Sequence, residues 1–180
     1  LTAMNALYRP GAMKSNAHID YVDIKFGRKE PEYDYMLKDV TFKTYGLYLY
    51  QEQTMLAAQK LGGFDLAEAD MMRKVMLGRG KKQEADKFYI YMNSFIDGAV
   101  KNECDKREAE KIWEKLEAFS GYGFNRSHAV AYAITGYICQ YLKVHYPIEF
   151  WTCAFSFVPT GKQEEKIPAY ISEIHQTGDI

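Results

Sequence analysis

Fourteen residues, Ala129 to Leu142, run without a formal charge, and this apolar stretch constrains the fold more than any other part of the chain. A helix needs about 20 apolar residues to cross a bilayer, so the stretch is too short, and it also contains Thr135, Gln140 and three tyrosines. It is expected to be a buried core helix, and no membrane partner is expected. With 47% hydrophobic and 15% aromatic residues, 180 residues can bury a core around such a helix. One domain, or one with short appendages, fits this size, and overall disorder does not. The chain opens at Leu1 with no methionine and no basic segment followed by an apolar run, and it reads as an excised segment.

Around that stretch the text is punctuated like a helical array. From Tyr48, apolar residues recur at helical spacing through Met55, Leu56, Ala58 and Leu61 until Gly62-Gly63 stops them. Asp65 stands three residues before Glu68, the spacing at which each side chain bonds the other's backbone amide, and a helix is predicted from there to about Met76. Gly78-Arg79-Gly80 interrupts. Glu84 to Lys101 then carries Phe88, Met92, Phe95 and Ile96 on one face. Asp105 and Glu108 repeat the capping spacing and start a helix through Ile112, Trp113 and Leu116 to Gly121. After the apolar helix, Pro147 stands where a helix can begin, and Thr160 with Gln163 is expected to open a last amphipathic one. The first 45 residues, with Tyr8-Arg9-Pro10-Gly11 and Glu30-Pro31-Glu32-Tyr33, hold no sustained period and predict loops and short elements. No strand of any length stands out, and the fold class is mainly α.

Charge and cysteine usage narrow the chemistry. Lys and Arg total 23 against 24 acids, a net charge of -1, so affinity for nucleic acid must come from local clustering. Cys104, Cys139 and Cys153 lie far apart and match no zinc spacing, which suits free thiols in a reducing cytoplasm. One cluster does form: Arg73, Lys74, Arg79, Lys81 and Lys82 fall within ten positions, and no acid interrupts them. Glycines on either side of Arg79 let backbone amides approach a phosphate, and the same pattern also fits a solvated loop between helices. The strand and terminal hydroxyl of a P-loop are missing.

A second polar group stands at the mouth of the apolar helix, in Gly121-Tyr122-Gly123-Phe124-Asn125-Arg126-Ser127-His128. Amides at a helix start favour an anion, and Phe124, His128 and Tyr132 offer flat faces to a base, with His128 and Tyr132 four apart on one face. The alternative is that Asn125 or Ser127 only caps the helix and His128 is a satisfied histidine at the edge of the core. No Asp-x-Asp occurs, and the acids read as caps or partners on exposed faces, so no metal or catalytic carboxylate pair is assigned.

Taken in order, Ala6-Leu7-Tyr8-Arg9-Pro10-Gly11-Ala12-Met13, Tyr45-Gly46-Leu47-Tyr48-Leu49-Tyr50-Gln51-Glu52-Gln53, Glu68-Ala69-Asp70-Met71-Met72-Arg73-Lys74-Val75-Met76, Gly121 to Tyr132 and Leu142 to Phe150 resemble the alpha subunit of bacterial family C replicative DNA polymerases. The similarity covers nearly the whole chain. It implies a helical fingers domain, with the palm-to-fingers junction in 1–45, the helical fingers core in 46–158 and a final helix leading out in 159–180. By resemblance, Arg73 and Lys74 reach the triphosphate of an incoming deoxynucleotide, and Phe124, Asn125, Arg126, Ser127, His128 and, less directly, Tyr132 lie by its base and sugar. Arg79, Lys81 and Lys82 are candidates for phosphate or DNA-backbone contacts.

The partners the resemblance implies are primer-template DNA, deoxynucleoside triphosphates, the rest of the polymerase chain, the sliding clamp and other replisome subunits. Mg2+ would serve the complete polymerase, on palm aspartates outside this segment, and the fragment alone is expected to be inactive. Three positions depart from the family. Ala12 replaces the second proline of Pro-Gly-Pro, Lys74 replaces an arginine and so loses the bidentate fork, and Met76 to Lys82 is longer than usual. Two other functions compete: a helical nucleic-acid-binding or scaffolding module that touches no nucleotide, and a small-molecule enzyme built around His128.

Overall fold

The computed structural model describes residues 1–78 and 85–178, and it divides into two compact units, Leu1–Val130 and Ala131–Ile180. Among the described residues all regular structure is helical, and the one β-type pairing is an isolated parallel bridge between Tyr50 and Phe124. The mainly α fold class expected from the sequence therefore holds. The N-terminal region consists of short pieces: α1 (Thr2–Leu7), α2 (Pro10–Lys14), α3 (Ala17–Lys25), α4 (Lys38–Thr41) and a 3-10 turn (Phe42–Thr44).

Four longer helices build the main core of the first unit: α5 (Gln51–Lys60), α6 (Leu66–Leu77), α7 (Ala85–Lys101) and α8 (Lys106–Ser120). Their boundaries follow the local signals. Asp65 accepts from the Glu68 amide at 2.8 Å while Glu68 accepts from the Asp65 amide at 2.9 Å, which closes the predicted capping box at the start of α6. Asp105 caps α8 by accepting from the amides of Arg107 and Glu108. Trp113 of α8 is buried with its ring 5.5 Å from Phe88 and 5.6 Å from Phe95 of α7, as the predicted face of α7 requires. Leu61, Met72, Ile112 and Leu116 complete this layer, and all are sealed from water. Asp34 ties the segment before α4 to the core by accepting from the Tyr48 hydroxyl at 2.9 Å and pairing with Lys115 of α8. Burial, with the nearby Asp34 charge, raises the Tyr48 pKa far above its ordinary value.

The apolar stretch departs from expectation. It forms α9 (Arg126–His145), but only Ala129 is buried, while Tyr132, Ile134, Tyr137, Ile138, Tyr141 and Leu142 are exposed. A helix that is apolar all round needs neighbours all round. In the second unit α9 meets α10 (Pro147–Ser156) and α11 (Gln163–Thr177) along one side only, where Gly136, Cys139 and Lys143 face Trp151 and Tyr170 across a small groove. Lys143 stands 5.1 Å over the Trp151 ring and pairs with Glu173 of α11. The expected start of the last helix also moves. Thr160 does not cap it, since Gly161 turns the chain at φ +81° and α11 begins at Gln163, with Lys162 before it and no side-chain cap. Among the described residues, no helix is long and apolar enough to cross a membrane.

Candidate nucleotide-proximal site at the α9 start

Residues 121–128 occupy a built junction. The Gln51 amide donates to the Phe124 carbonyl at 2.9 Å and the Phe124 amide to the Leu49 carbonyl at 3.2 Å, so the start of α5 and the approach to α9 are stitched as a two-bond bridge. Gln51 Nε2 adds a bond to the Gly123 carbonyl at 3.2 Å. A Cβ at Gly123 would meet the Phe119 ring and Gln51, which explains the glycine there. Asn125 caps α9, its Oδ1 accepting from the His128 amide at 2.8 Å. The Arg126 amide donates to both carboxylate oxygens of Glu52, at 3.0 and 3.1 Å. The anion that the helix start attracts is thus the protein's own Glu52, and the amides of Arg126 and His128 are already engaged.

From this base the side chains spread differently. The Phe124 ring is half-buried, with the Arg9 guanidinium 4.3 Å from its centroid and the His128 ring 5.5 Å away. Asn125, Arg126, Ser127 and His128 are exposed. The Arg126 guanidinium stands 5.8 Å from the Tyr50 ring, and both residues line an open cleft of about 470 Å3 with Tyr21, Lys43, Thr44 and Gln53. Burial raises the Tyr50 pKa. Tyr132 is exposed on the part of α9 that belongs to the second unit.

The floor of the cleft is a buried amide that the sequence reading left without a role. Gln53 Oε1 accepts from the amides of Leu49 and Tyr50 at 2.8 and 2.9 Å, while Nε2 donates to Thr44 Oγ1 at 2.7 Å and the Val40 carbonyl at 3.2 Å. Arg9 is the other omission. Its Nη2 donates to the Tyr122 carbonyl at 2.6 Å and its Nε to the Ala6 carbonyl at 3.1 Å, and burial lowers its pKa. Both residues lie inside motifs quoted for their resemblance, but their partners are remote or irregular, and no local spacing announces them.

Arg73 and Lys74 sit on α6, and one carboxylate holds both. Asp70 Oδ1 accepts from Arg73 Nη2 at 2.8 Å and Nε at 3.2 Å, and Oδ2 pairs with Lys74 Nζ at 2.7 Å. The hydrogen bond from Lys74 and then that from Arg73 hold the Asp70 carboxyl below its usual range. No acid interrupts the cations from Arg73 onward, but Asp70, just before them, meets Arg73 and Lys74 at the (i, i+3) and (i, i+4) spacings of one helical face. Arg79, Lys81 and Lys82 lie outside the described residues.

Among the described residues, no three or more His, Cys, Asp or Glu side chains come together in a way that could hold a metal ion. The nearby acids have other partners: Asp70 its two cations, Glu52 the α9 amide, Asp39 the Lys60 ammonium and Asp65 the α6 cap.

The chain is similar to known proteins along nearly its whole length. Residues 1–103 match the model of the bacterial DNA polymerase III alpha subunit finger domain. The chain is 42% identical to the DNA polymerase III subunit alpha of Treponema pallidum over 180 residues, 41% to that of Campylobacter jejuni over 175 and 39% to that of Escherichia coli over 184. These alignments cover 97 to 99% of the chain and 14 to 15% of each relative, so the chain spans about one-seventh of their length.

Proposed function

Because the chain belongs to the bacterial DNA polymerase III alpha subunit finger-domain family, we propose that it serves as the fingers of a replicative DNA-directed DNA polymerase, binding the incoming deoxynucleoside triphosphate and guiding template DNA. The observation that carries this reading is the Asp70, Arg73 and Lys74 group. Two cations stand side by side on one helical turn, held by a carboxylate that a phosphate's oxygens can replace. Arg73 presents a fork matched to two phosphate oxygens, and Lys74 adds a point charge. The exposed side chains at the α9 start, Asn125, Arg126, Ser127 and His128, stand by the base and sugar, while Phe124 backs His128. The carboxylates that hold Mg2+ for nucleotidyl transfer belong to a palm outside these residues.

A phosphate contact carries no base information. In the full-length polymerase, Arg73→Ala is therefore expected to raise the KM for all four deoxynucleotides by a similar factor, roughly 10-fold to 100-fold for a lost charge-assisted hydrogen bond. Steady-state incorporation on four matched templates measures it. An increase for one nucleotide alone, or unchanged KM with weaker, strongly salt-dependent DNA binding, overturns the reading in favour of a base contact or a plain backbone-binding module.

A further inference from the structure

We propose that Arg9 is a positioning residue for the segment from Phe124 to His128, setting how that segment meets the nucleotide without touching the nucleotide itself. The proposal rests on the reading of that segment as nucleotide-proximal. Three contacts of one guanidinium carry it. Nη2 donates to the Tyr122 carbonyl at 2.6 Å, Nε donates to the Ala6 carbonyl at 3.1 Å, and the guanidinium stands 4.3 Å from the centroid of the Phe124 ring. A planar fork makes the two bonds while facing a ring, whereas an ammonium group has no plane to offer.

Arg9 thus joins the end of α1 to the turn before α9, across 113 residues of sequence. It seats the ring whose neighbour, 5.5 Å away, is His128.

A second feature grips the same turn independently. Gly11 packs so closely under Tyr122 that a Cβ added there would lie 2.8 Å from the Tyr122 Cβ. Pro10 stands between them at the first position of α2, where its ring limits the backbone. Arg9 therefore holds Tyr122 by its carbonyl and Gly11 accommodates its side chain, so the turn is fixed from two sides by adjacent parts of one motif.

The test uses the full-length polymerase with Arg9→Lys, Gly11→Ala and the double substitution. Gly11→Ala leaves the Arg9 charge in place, so any phosphate contact by Arg9 survives it. If Arg9 positions, each single change is expected to lower the ratio of correct to incorrect nucleotide kcat/KM by about 5-fold or more. Inhibition by pyrophosphate should stay within about 2-fold, and the double variant should be no worse than the worse single, because both act through one turn. If Gly11→Ala does not fold, Arg9→Lys and Arg9→Gln carry the test.

A marked loss of pyrophosphate inhibition in Arg9→Lys overturns the proposal in favour of direct phosphate binding. A lowered melting temperature with unchanged discrimination overturns it in favour of a purely structural clamp. Arg73→Ala serves as the control. If Arg73→Ala raises KM while the Arg9 and Gly11 variants leave discrimination unchanged, only the positioning role fails. If Arg73→Ala also has no effect, the nucleotide-site reading fails with it.

Discussion

A few side chains do more for this site than their composition suggests, and Gln53 is the clearest. Its amide is 5% exposed and satisfies two backbone amides while donating to Thr44 and the Val40 carbonyl. Buried polar groups that lose a partner keep their full desolvation penalty. Gln53→Ala leaves the amides of Leu49 and Tyr50 without their acceptor and opens a cavity beneath the cleft. We expect a loss of about 3 kcal/mol, from the unpaired groups and the cavity together, measured by urea unfolding, with faster amide exchange at Leu49 and Tyr50. The residue is visible in the sequence as the last letter of the Tyr45 to Gln53 run, but its role is not. All four of these bonds reach the backbone and side chains of residues 40–50, whose course no periodicity describes.

Between elements, the tightest approach joins α7 to the turn after α5. A Cβ on Gly98 would fall far inside the van der Waals contact distance of the Gly62 carbonyl oxygen, and Asn102, in the turn just after α7, donates to the Leu61 carbonyl at 3.0 Å. Because the obstructing atom is backbone, no rotamer change relieves it. Gly98→Ala is expected to push α7 away from α5 and destabilise the first unit by about 3 kcal/mol, at the upper end of ordinary overpacking. Gly63 offers a contrast, with φ at +73° and nothing within 4 Å of an added Cβ. Gly63→Ala meets only the left-handed backbone penalty, about 1 to 2 kcal/mol. Thermal melts of the two variants should separate them in that order. Sequence reading marks Gly62-Gly63 as a helix stop, and α5 does end at Lys60. What it does not contain is that Gly62 also serves as a packing surface for a helix 36 positions later.

At the scale of the whole molecule, Arg73 and Lys74 stand on α6 and Phe124, Arg126 and His128 at the α9 start, and the acids beside them, Asp70 and Glu52, are committed to Arg73 and Lys74 and to the α9 amide. Purified by itself and given primed template, deoxynucleotides and Mg2+, it is expected to extend no primer. Gel electrophoresis of the primer checks this, and Mg2+-dependent extension by the purified chain would overturn the assignment of the Mg2+-binding carboxylates to a palm outside these residues.

What the sequence by itself determined was local. Helix formation, the Asp65 and Asp105 caps, the glycine stops and the buried faces of α7 and α8 depend on residues three or four apart, and these came out where the spacing put them. Family membership was legible for a related reason, since long motifs in order carry it without any geometry. Tertiary structure alone decided the rest. Arg9 meets Tyr122, Glu52 meets Arg126 and Asn5 Nδ2 meets the Ala129 carbonyl across 113, 74 and 124 positions, and nothing in either local sequence of a pair encodes its partner. The same limit explains α9. Its hydropathy shows that it avoids charge, but burial depends on how many neighbours surround a helix, and here α10 and α11 cover one side.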